Sequence, residues 1–307
     1  MNKQYYDQVD LLITVLPALR EIKDFALKGG TAINLFFRDM PRLSVDIDLA
    51  FIRLLDRDQS SRVIDSNLRI FASKIMNENS SIRAITKNSK DGYIKNLIVK
   101  NSKAQIKIEV NDIIRGFVYP CETKELCTKA QDEFLKYTEI QTLSFFDLYA
   151  GKICAALDRQ HPRDLFDIKL LLETEGFSDK LKKTFIVYLI SHNRPISELI
   201  NPKRIDISKQ FNKNFEGMTS LRITQNELEE TREQLIELTC NLSDLEKEFL
   251  LSFKSTKPNW NLLGLTGIEK LPAIKWKLMN ISKMSKSKHS SALKKLEIKL
   301  KTTNHQR

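Results

Sequence analysis

The sequence predicts an α+β protein. A small mixed or antiparallel sheet with flanking helices forms the N-terminal part, and the C-terminal part is mostly helical. Three observations carry this. Val45–Phe51 alternates Val, Asp, Ile, Asp, Leu, Ala, Phe, a period of two that belongs to a strand. Ala104–Val110 alternates in the same way. After Thr142 the alternation gives way to helical spacing, and Thr224-x-x-Glu227 and Ser243-x-x-Glu246 have the form of capping boxes opening two helices.

The elements follow in order. Tyr5–Arg20 reads as an amphipathic helix disturbed at Pro17. Phe25–Leu27 is a short strand ending at Gly29-Gly30, Thr31–Phe37 is helical, and Pro41 closes the connection into the strand at Val45. Ser60–Asn79 is a helix. Tyr93–Lys100 and Ala104–Val110 are strands joined by a turn at Asn101-Ser102. Ser144–Asp158 and Arg163–Glu175 are helices separated by Pro162. With 307 residues, two domains are expected, residues 1–135 and 136–307.

Composition narrows the partners. No apolar run approaches the ~18 residues of a membrane span, and the first residues carry no secretory apolar region. Cys121, Cys127, Cys154 and Cys240 form no Cys-x-x-Cys pair, so reduced thiols in a cytoplasmic protein are expected. The net charge is +11, and it is unevenly placed. Residues 268–307 hold eleven Lys or Arg against two Glu, while the remainder is nearly balanced, 39 against 37. A segment of that kind suits a polyanion, nucleic acid or a membrane surface. Leu271, Ile274, Trp276, Leu278 and Ile281 interleave with the lysines, which predicts a docked helix with lysines outward rather than a solvated tail.

The chemistry concentrates in Lys28–Phe51. Side chains at i and i+2 of a strand share a face, so Ser44, Asp46 and Asp48 lie opposite Val45, Ile47 and Leu49. The two aspartates stand about 6–7 Å apart at Cα. Alone, they read equally well as two exposed carboxylates on a sheet face. A divalent cation would relieve their repulsion, since Mg²⁺ takes carboxylate and phosphate oxygens together. Upstream, Gly29-Gly30-Thr31 opens a helix, where backbone N–H groups can approach a phosphate. A phosphate cradle beside a carboxylate pair suits a nucleoside triphosphate. On the next strand Glu109 shares a face with Lys107 and Asn111, and is the candidate activator of an attacking group or a second metal ligand. Asp112 falls on the apolar parity and is the weaker alternative.

A third block, Leu148–Glu173, places Lys152, Ala156 and Arg159 on one helical face and Arg163 and Asp167 at i, i+4 on the next helix. A lysine and arginines on one surface suit a triphosphate; a solvated helix with an intrahelical ion pair is the plainer alternative. His161, beside Pro162, reads as a turn residue rather than a base.

Gly29-Gly30-Thr31 followed by Ser44-x-Asp46-x-Asp48 resembles the first motif of the minimal nucleotidyltransferases of the DNA polymerase β superfamily. "LKGGTAINLF…PRLSVDIDL" together with "KICAALDRQHPRDLFDI" resembles more closely the AbiEii/AbiGii-type toxins of bacterial type IV toxin–antitoxin systems, and "PAIKWKLMNISKM" is similar to their C-terminal portion. Fifteen residues stand between Gly30 and Asp46, longer than the general superfamily spacing and like the toxin subfamily.

The resemblance implies a nucleotidyltransferase-type N-terminal domain that moves a nucleoside monophosphate from an NTP to an RNA acceptor, notably the tRNA 3′ end. Pyrophosphate leaves, and translation and growth stop. It implies Mg²⁺ on Asp46 and Asp48, and phosphates on Gly29, Gly30 and Thr31 with Ser44 beside them. Lys152, helped by Arg159 and Arg163, would neutralise charge, Asp167 would orient Lys152 or Arg163 or act directly, and Glu109 would assist the attacking hydroxyl. It also implies a cognate antitoxin encoded nearby, and a role in phage defence. Ser44, close to the expected γ-phosphate, is a position where phosphorylation would crowd the metal site. A metal-dependent glycosyltransferase and a non-catalytic RNA- or partner-binding protein on the same scaffold are the competing readings.

Overall fold

The computed structural model describes residues 2–89, 91–111 and 114–302. Asp112, the alternative to Glu109, lies outside them. The chain divides into two compact units, Met1–Leu148 with Asn212–Arg222, and Tyr149–Phe211 with Ile223–Arg307. The boundary expected after residue 135 thus falls after Leu148, because a last strand past residue 135 still belongs to the first unit's sheet.

The first unit opens with α1 (Lys3–Val15), capped by Asn2. Pro17 converts the chain to a 3₁₀ turn, Leu16–Leu19, where the sequence predicted a disturbance. The sheet has seven strands, more than expected: β1 (Phe25–Lys28), β2 (Asp46–Phe51), β3 (Arg83–Asn88), β4 (Ile94–Lys100), β5 (Gln105–Asn111), β6 (Glu122–Glu125) and β7 (Glu139–Thr142). Their order is β3-β4-β5-β2-β1-β7-β6. The sheet is mixed, since β2 runs parallel to β5 and β1 parallel to β7, while the other neighbours are antiparallel.

The alternation read from β2 and β5 holds. Ile47, Leu49, Phe51, Ile106, Ile108 and Val110 are buried on one face. Helix α3 (Arg57–Glu78) packs on β3 and β4, burying Ile64, Leu68, Phe71 and Ile75. Asp56 caps it by accepting a 2.8 Å hydrogen bond from Gln59 N. The three strands not foreseen, β3, β6 and β7, are polar or short; β3 and β6 are the sheet's two edges, where polar residues discourage further pairing.

In the second unit, α5 (Phe145–Arg159, which begins in the first unit) is followed after a two-residue turn by α6 (Pro162–Thr174). Pro162 lies in the first turn of α6 rather than between the helices. Helices α7 (Asp179–Ser191), α8 (Ile196–Leu199), α9 (Ser208–Asn214, which ends in the first unit), α10 (Gln225–Cys240), α11 (Asp244–Lys254), α12 (Pro272–Ser282) and α13 (Lys286–Thr302) follow; α4 (Thr128–Phe134) belongs to the first unit. Both predicted capping boxes are closed, at Thr224 with Glu227 and at Ser243 with Glu246. Among the described residues no helix is long and apolar enough to cross a membrane.

Candidate active site

The site in the first unit is assembled where β1 ends. Gly29 has φ +72°, a conformation that turns the chain from β1 into a short helix, α2 (Gly29–Ala32). A single π-helical turn, Ile33–Phe37, extends it. At both glycines an added Cβ would force a neighbouring side chain to shift. A Cβ on Gly29 would lie 2.5 Å from Asp48 Oδ2, and one on Gly30 would lie 2.6 Å from Arg42 Nη2 and 3.0 Å from Ser44 Oγ.

Hydrogen bonds tie this turn to β2. Thr31 Oγ1 donates to the Asp46 carbonyl, and Thr31 Oγ1 and Ser44 Oγ are bonded at 3.0 Å. Asn34 Nδ2 donates to Gly30 O at 2.9 Å. Both hydroxyls are buried, so they build the cradle's wall rather than its opening. Ser44 is only 7% exposed and its Oγ is bonded to Thr31 Oγ1, so a phosphoryl group on it would have to displace that contact.

Register places the carboxylates. Asp48 lies opposite Lys28 on β1 and opposite Glu109 on β5, and Asp46 lies opposite Lys107. Directly paired residues share a face. Asp46 and Asp48 are half-buried at the strand's start, with their backbone anchored by the buried face. Glu109 sits in the same row as Asp48, as its parity predicted. It is exposed, and its carboxylate forms an ion pair with Lys107. Among the described residues no three His, Cys, Asp or Glu side chains gather as a metal-binding group. The acidic centre is therefore the pair Asp46–Asp48, with Glu109 alongside.

The second cluster lies within the second unit. Lys152 Nζ is held between Asp164 Oδ1 at 2.8 Å and Asp167 Oδ2 at 2.9 Å. Arg159 binds Asp164 as a fork, through Nε at 2.6 Å and Nη2 at 3.0 Å. The side chains of Lys152, Asp164 and Asp167 are at most 6% exposed, whereas that of Arg159 is 62% exposed. Burial pushes the Asp164 carboxyl up, but Lys152 and Arg159 outweigh it and hold it well below the usual carboxylate range.

The sharp turn from α5 to α6 makes this possible. Gln160 adopts φ +48° and is fully enclosed, donating to Lys203 O at 2.8 Å and accepting from Ile205 N at 2.9 Å. His161 Nδ1 accepts from Arg163 N at 3.1 Å and caps α6, the turn role its sequence context predicted. Asp167 also meets Lys152 of α5, an interhelical ion pair beyond the intrahelical Arg163–Asp167 spacing read from the sequence. Arg163 is half-buried on the same helix.

Two participants were not foreseen. Asp164 carried a signal: it stands three residues before Asp167, on the same helical face. Arg42 carried none. It is 2% exposed, donates from Nη1 to Leu43 O at 2.9 Å, and lies under Gly30. Its loop is held by the Asn212–Arg222 segment. Leu43 N donates to Met218 O at 2.7 Å, Arg42 bridges Thr219, and Thr219 Oγ1 donates to Pro41 O at 2.8 Å.

A family model described as "Nucleotidyl transferase AbiEii toxin, Type IV TA system" matches residues 10–277. The chain belongs to the AbiEii toxin family. This AbiEii protein is accordingly a nucleotidyltransferase, a toxin of the type IV class with an NTP substrate and an antitoxin partner. Its fold is similar to that of MenT4, a nucleotidyltransferase toxin of Mycobacterium tuberculosis H37Rv. The TM-score is 0.60 and the identity 13%, over 91% of this chain and 95% of that one. No curated protein matches the AbiEii chain by sequence.

Proposed function

We propose that this AbiEii toxin transfers a nucleoside monophosphate from an NTP to the 3′ end of a tRNA, with Mg²⁺, and so blocks translation and arrests growth. The observation that carries the reading is the contact between Asp48 and Gly29. A carboxylate and a glycine turn approach so closely that no side chain fits between them.

The residues present fit a divalent cation. Asp46 and Asp48 project from one strand face at fixed spacing, and hard carboxylate oxygens are the donors Mg²⁺ prefers. When bound, the ion would neutralise phosphate oxygens of the NTP. The backbone N–H groups of Gly30 and Thr31, beside the carboxylates, would hold the phosphates. Glu109 would receive the proton of the attacking hydroxyl. The hydroxyl oxygen forms the new bond to the α-phosphorus, and the bond to pyrophosphate breaks.

Lys152 is assigned to neutralising the triphosphate, with Arg159 and Arg163 assisting. Asp164 and Asp167 each take one N–H of the Lys152 ammonium. Asp167 thus orients Lys152. The cytoplasm, where NTPs and tRNA meet, is the proposed compartment, and phage defence the proposed setting.

Incubation with Mg²⁺, each labelled NTP in turn and total tRNA tests the reading. Label on tRNA from at least one NTP, lost with EDTA and in Asp46→Asn, is the expected result. No label from any NTP, together with tight tRNA binding, would favour a non-catalytic role; label surviving Asp46→Asn would remove the assignment of the metal.

A further inference from the structure

The basic excess of the C-terminal segment becomes a surface in the fold. Lys275 on α12, Lys283 at its C-cap, and Lys286, Lys288, Lys294 and Lys295 on α13 are all exposed, and none of them is in an ion pair among the described residues. The only acids in this stretch, Glu269 and Glu297, are half-buried. Elsewhere many lysines are offset locally, as in Lys95–Asp91 and Lys169–Glu173.

The helices that carry these charges are well anchored. α12 and α13 both pack on α11. α12 buries Ala273, Ile274 and Ile281, and Lys277 on its inner side donates to the carbonyls of His192, Asn193 and Arg194, closing the C-terminal end of α7. α13 buries Leu296 and Leu300. The outward lysines are therefore held on a rigid support.

The outer face of α12 is not uniformly polar. Lys275, Trp276, Met279 and Lys283 lie on one side of the helix, at i, i+1, i+4 and i+8. Trp276 is 43% exposed and Met279 36%. The two lysines are about 12 Å apart along the axis. An indole presented between cations on an exposed helix face matches an unpaired nucleic-acid strand, where a base stacks on the ring and the flanking phosphates meet the ammonium groups. Duplex offers no free base face to such a ring.

We propose that the outer faces of α12 and α13 dock a single-stranded stretch of the RNA acceptor, with Trp276 stacking on a base and Lys275 and Lys283 on the adjoining phosphates. This rests on the reading of RNA as the acceptor. α13 supplies further phosphate contacts through Lys286, Lys288, Lys294 and Lys295.

The test uses the full chain carrying Trp260→Phe. The sequence has two tryptophans, and Trp260 packs on Phe249 and Phe253, so this background leaves Trp276 as the reporter. A mixed-sequence 12-nucleotide RNA should quench its fluorescence. By the anisotropy of a 5′-labelled copy of this RNA, which reads variants that lack the indole, Trp276→Ala should weaken binding about tenfold and Trp276→Phe should restore most of it, as expected for one stacked base. Lys275→Glu/Lys283→Glu should weaken binding further, and each lost phosphate contact should lower the log–log salt slope by about 0.7. Thermal unfolding of each variant reports its fold.

Unchanged RNA affinity in folded Lys275→Glu/Lys283→Glu and Trp276→Ala variants would overturn the surface, as would tighter binding to phosphatidylserine vesicles than to the RNA. Transfer of label to tRNA by wild type is scored separately. If it occurs while these variants bind and react normally, the docking surface fails and the acceptor reading stands. If the label goes to a different acceptor, the acceptor reading fails.

Discussion

The carboxylate of Asp48 occupies the space that a side chain on Gly29 would need, with Oδ2 2.5 Å from an ideal Cβ. Position 29 also has φ +72°, where an L-residue is strained by about 1–2 kcal/mol. Gly29→Ala must therefore displace Asp48 or the turn. A shift of the order of 1 Å at a reacting centre costs about 100-fold in rate. We expect transfer to fall by about that factor while thermal unfolding shows a folded protein, checked by labelled NTP incorporation per mole of folded enzyme. Activity within twofold of wild type would show that the close approach has no catalytic meaning.

Gly30 and Arg42 form a second such pair, and a double-mutant cycle measures it. Gly30→Ala drives a methyl into the Arg42 guanidinium at 2.6 Å. In an Arg42→Ala background that obstacle is gone, and only Ser44 Oγ at 3.0 Å remains. Gly30→Ala is expected to reduce kcat/KM strongly in the wild-type chain and much less in Arg42→Ala. Contacting residues couple by about 0.5–3 kcal/mol, which sets the expected interaction energy. Strict additivity would mean that Arg42 does not shape the cradle.

These pairs also mark where the sequence was legible. Asp46 and Asp48 were legible because a period-two pattern assigns a face to each residue, and the same parity aligned Glu109 with Asp48. Arg42 was not, because nothing in a Pro-Arg-Leu-Ser string distinguishes a guanidinium under a glycine from one in water. Its burial depends on Met218 and Thr219, far along the chain. β3, β6 and β7 were hidden by polar composition or brevity, and β7 carries residues past 135 into the first unit. The pairing of Lys152 with Asp164 depends on the left-handed Gln160, a conformation that glutamine seldom adopts.

Away from the site, Ser243 caps α11 by accepting from Glu246 N at 3.3 Å, while Glu246 accepts from Ser243 N at 2.7 Å. Ser243→Ala should cost about 1 kcal/mol of stability. Nucleotide transfer at 25 °C should be unchanged, since neither carboxylate pair nor glycine turn is touched. A denaturation midpoint and a transfer rate on the same sample check both. This variant serves as a reference for loss of stability without loss of chemistry.

Lys152 sits between two buried carboxylates, so its removal acts on stability as well as on the proposed phosphate contact. Lys152→Met leaves Asp164 with Arg159 and takes the 2.9 Å ion pair from Asp167. Breaking a buried pair by removing one partner costs about 3–5 kcal/mol. Adding Asp167→Asn removes the buried charge that faced Lys152 and should restore part of the melting temperature, while transfer activity stays low if Lys152 touches the nucleotide. Acid should probe the same cluster. The Asp164 carboxyl is held below its ordinary value of about 3.9, so its contribution is complete above that pH and is lost as the pH falls further. Arg159→Ala removes one of the charges responsible, and its acid unfolding midpoint should move to higher pH than wild type. Coincident acid transitions would show that the Arg159 fork does not stabilise the ionised carboxylate. Restored transfer in Lys152→Met/Asp167→Asn would make Lys152 a structural residue.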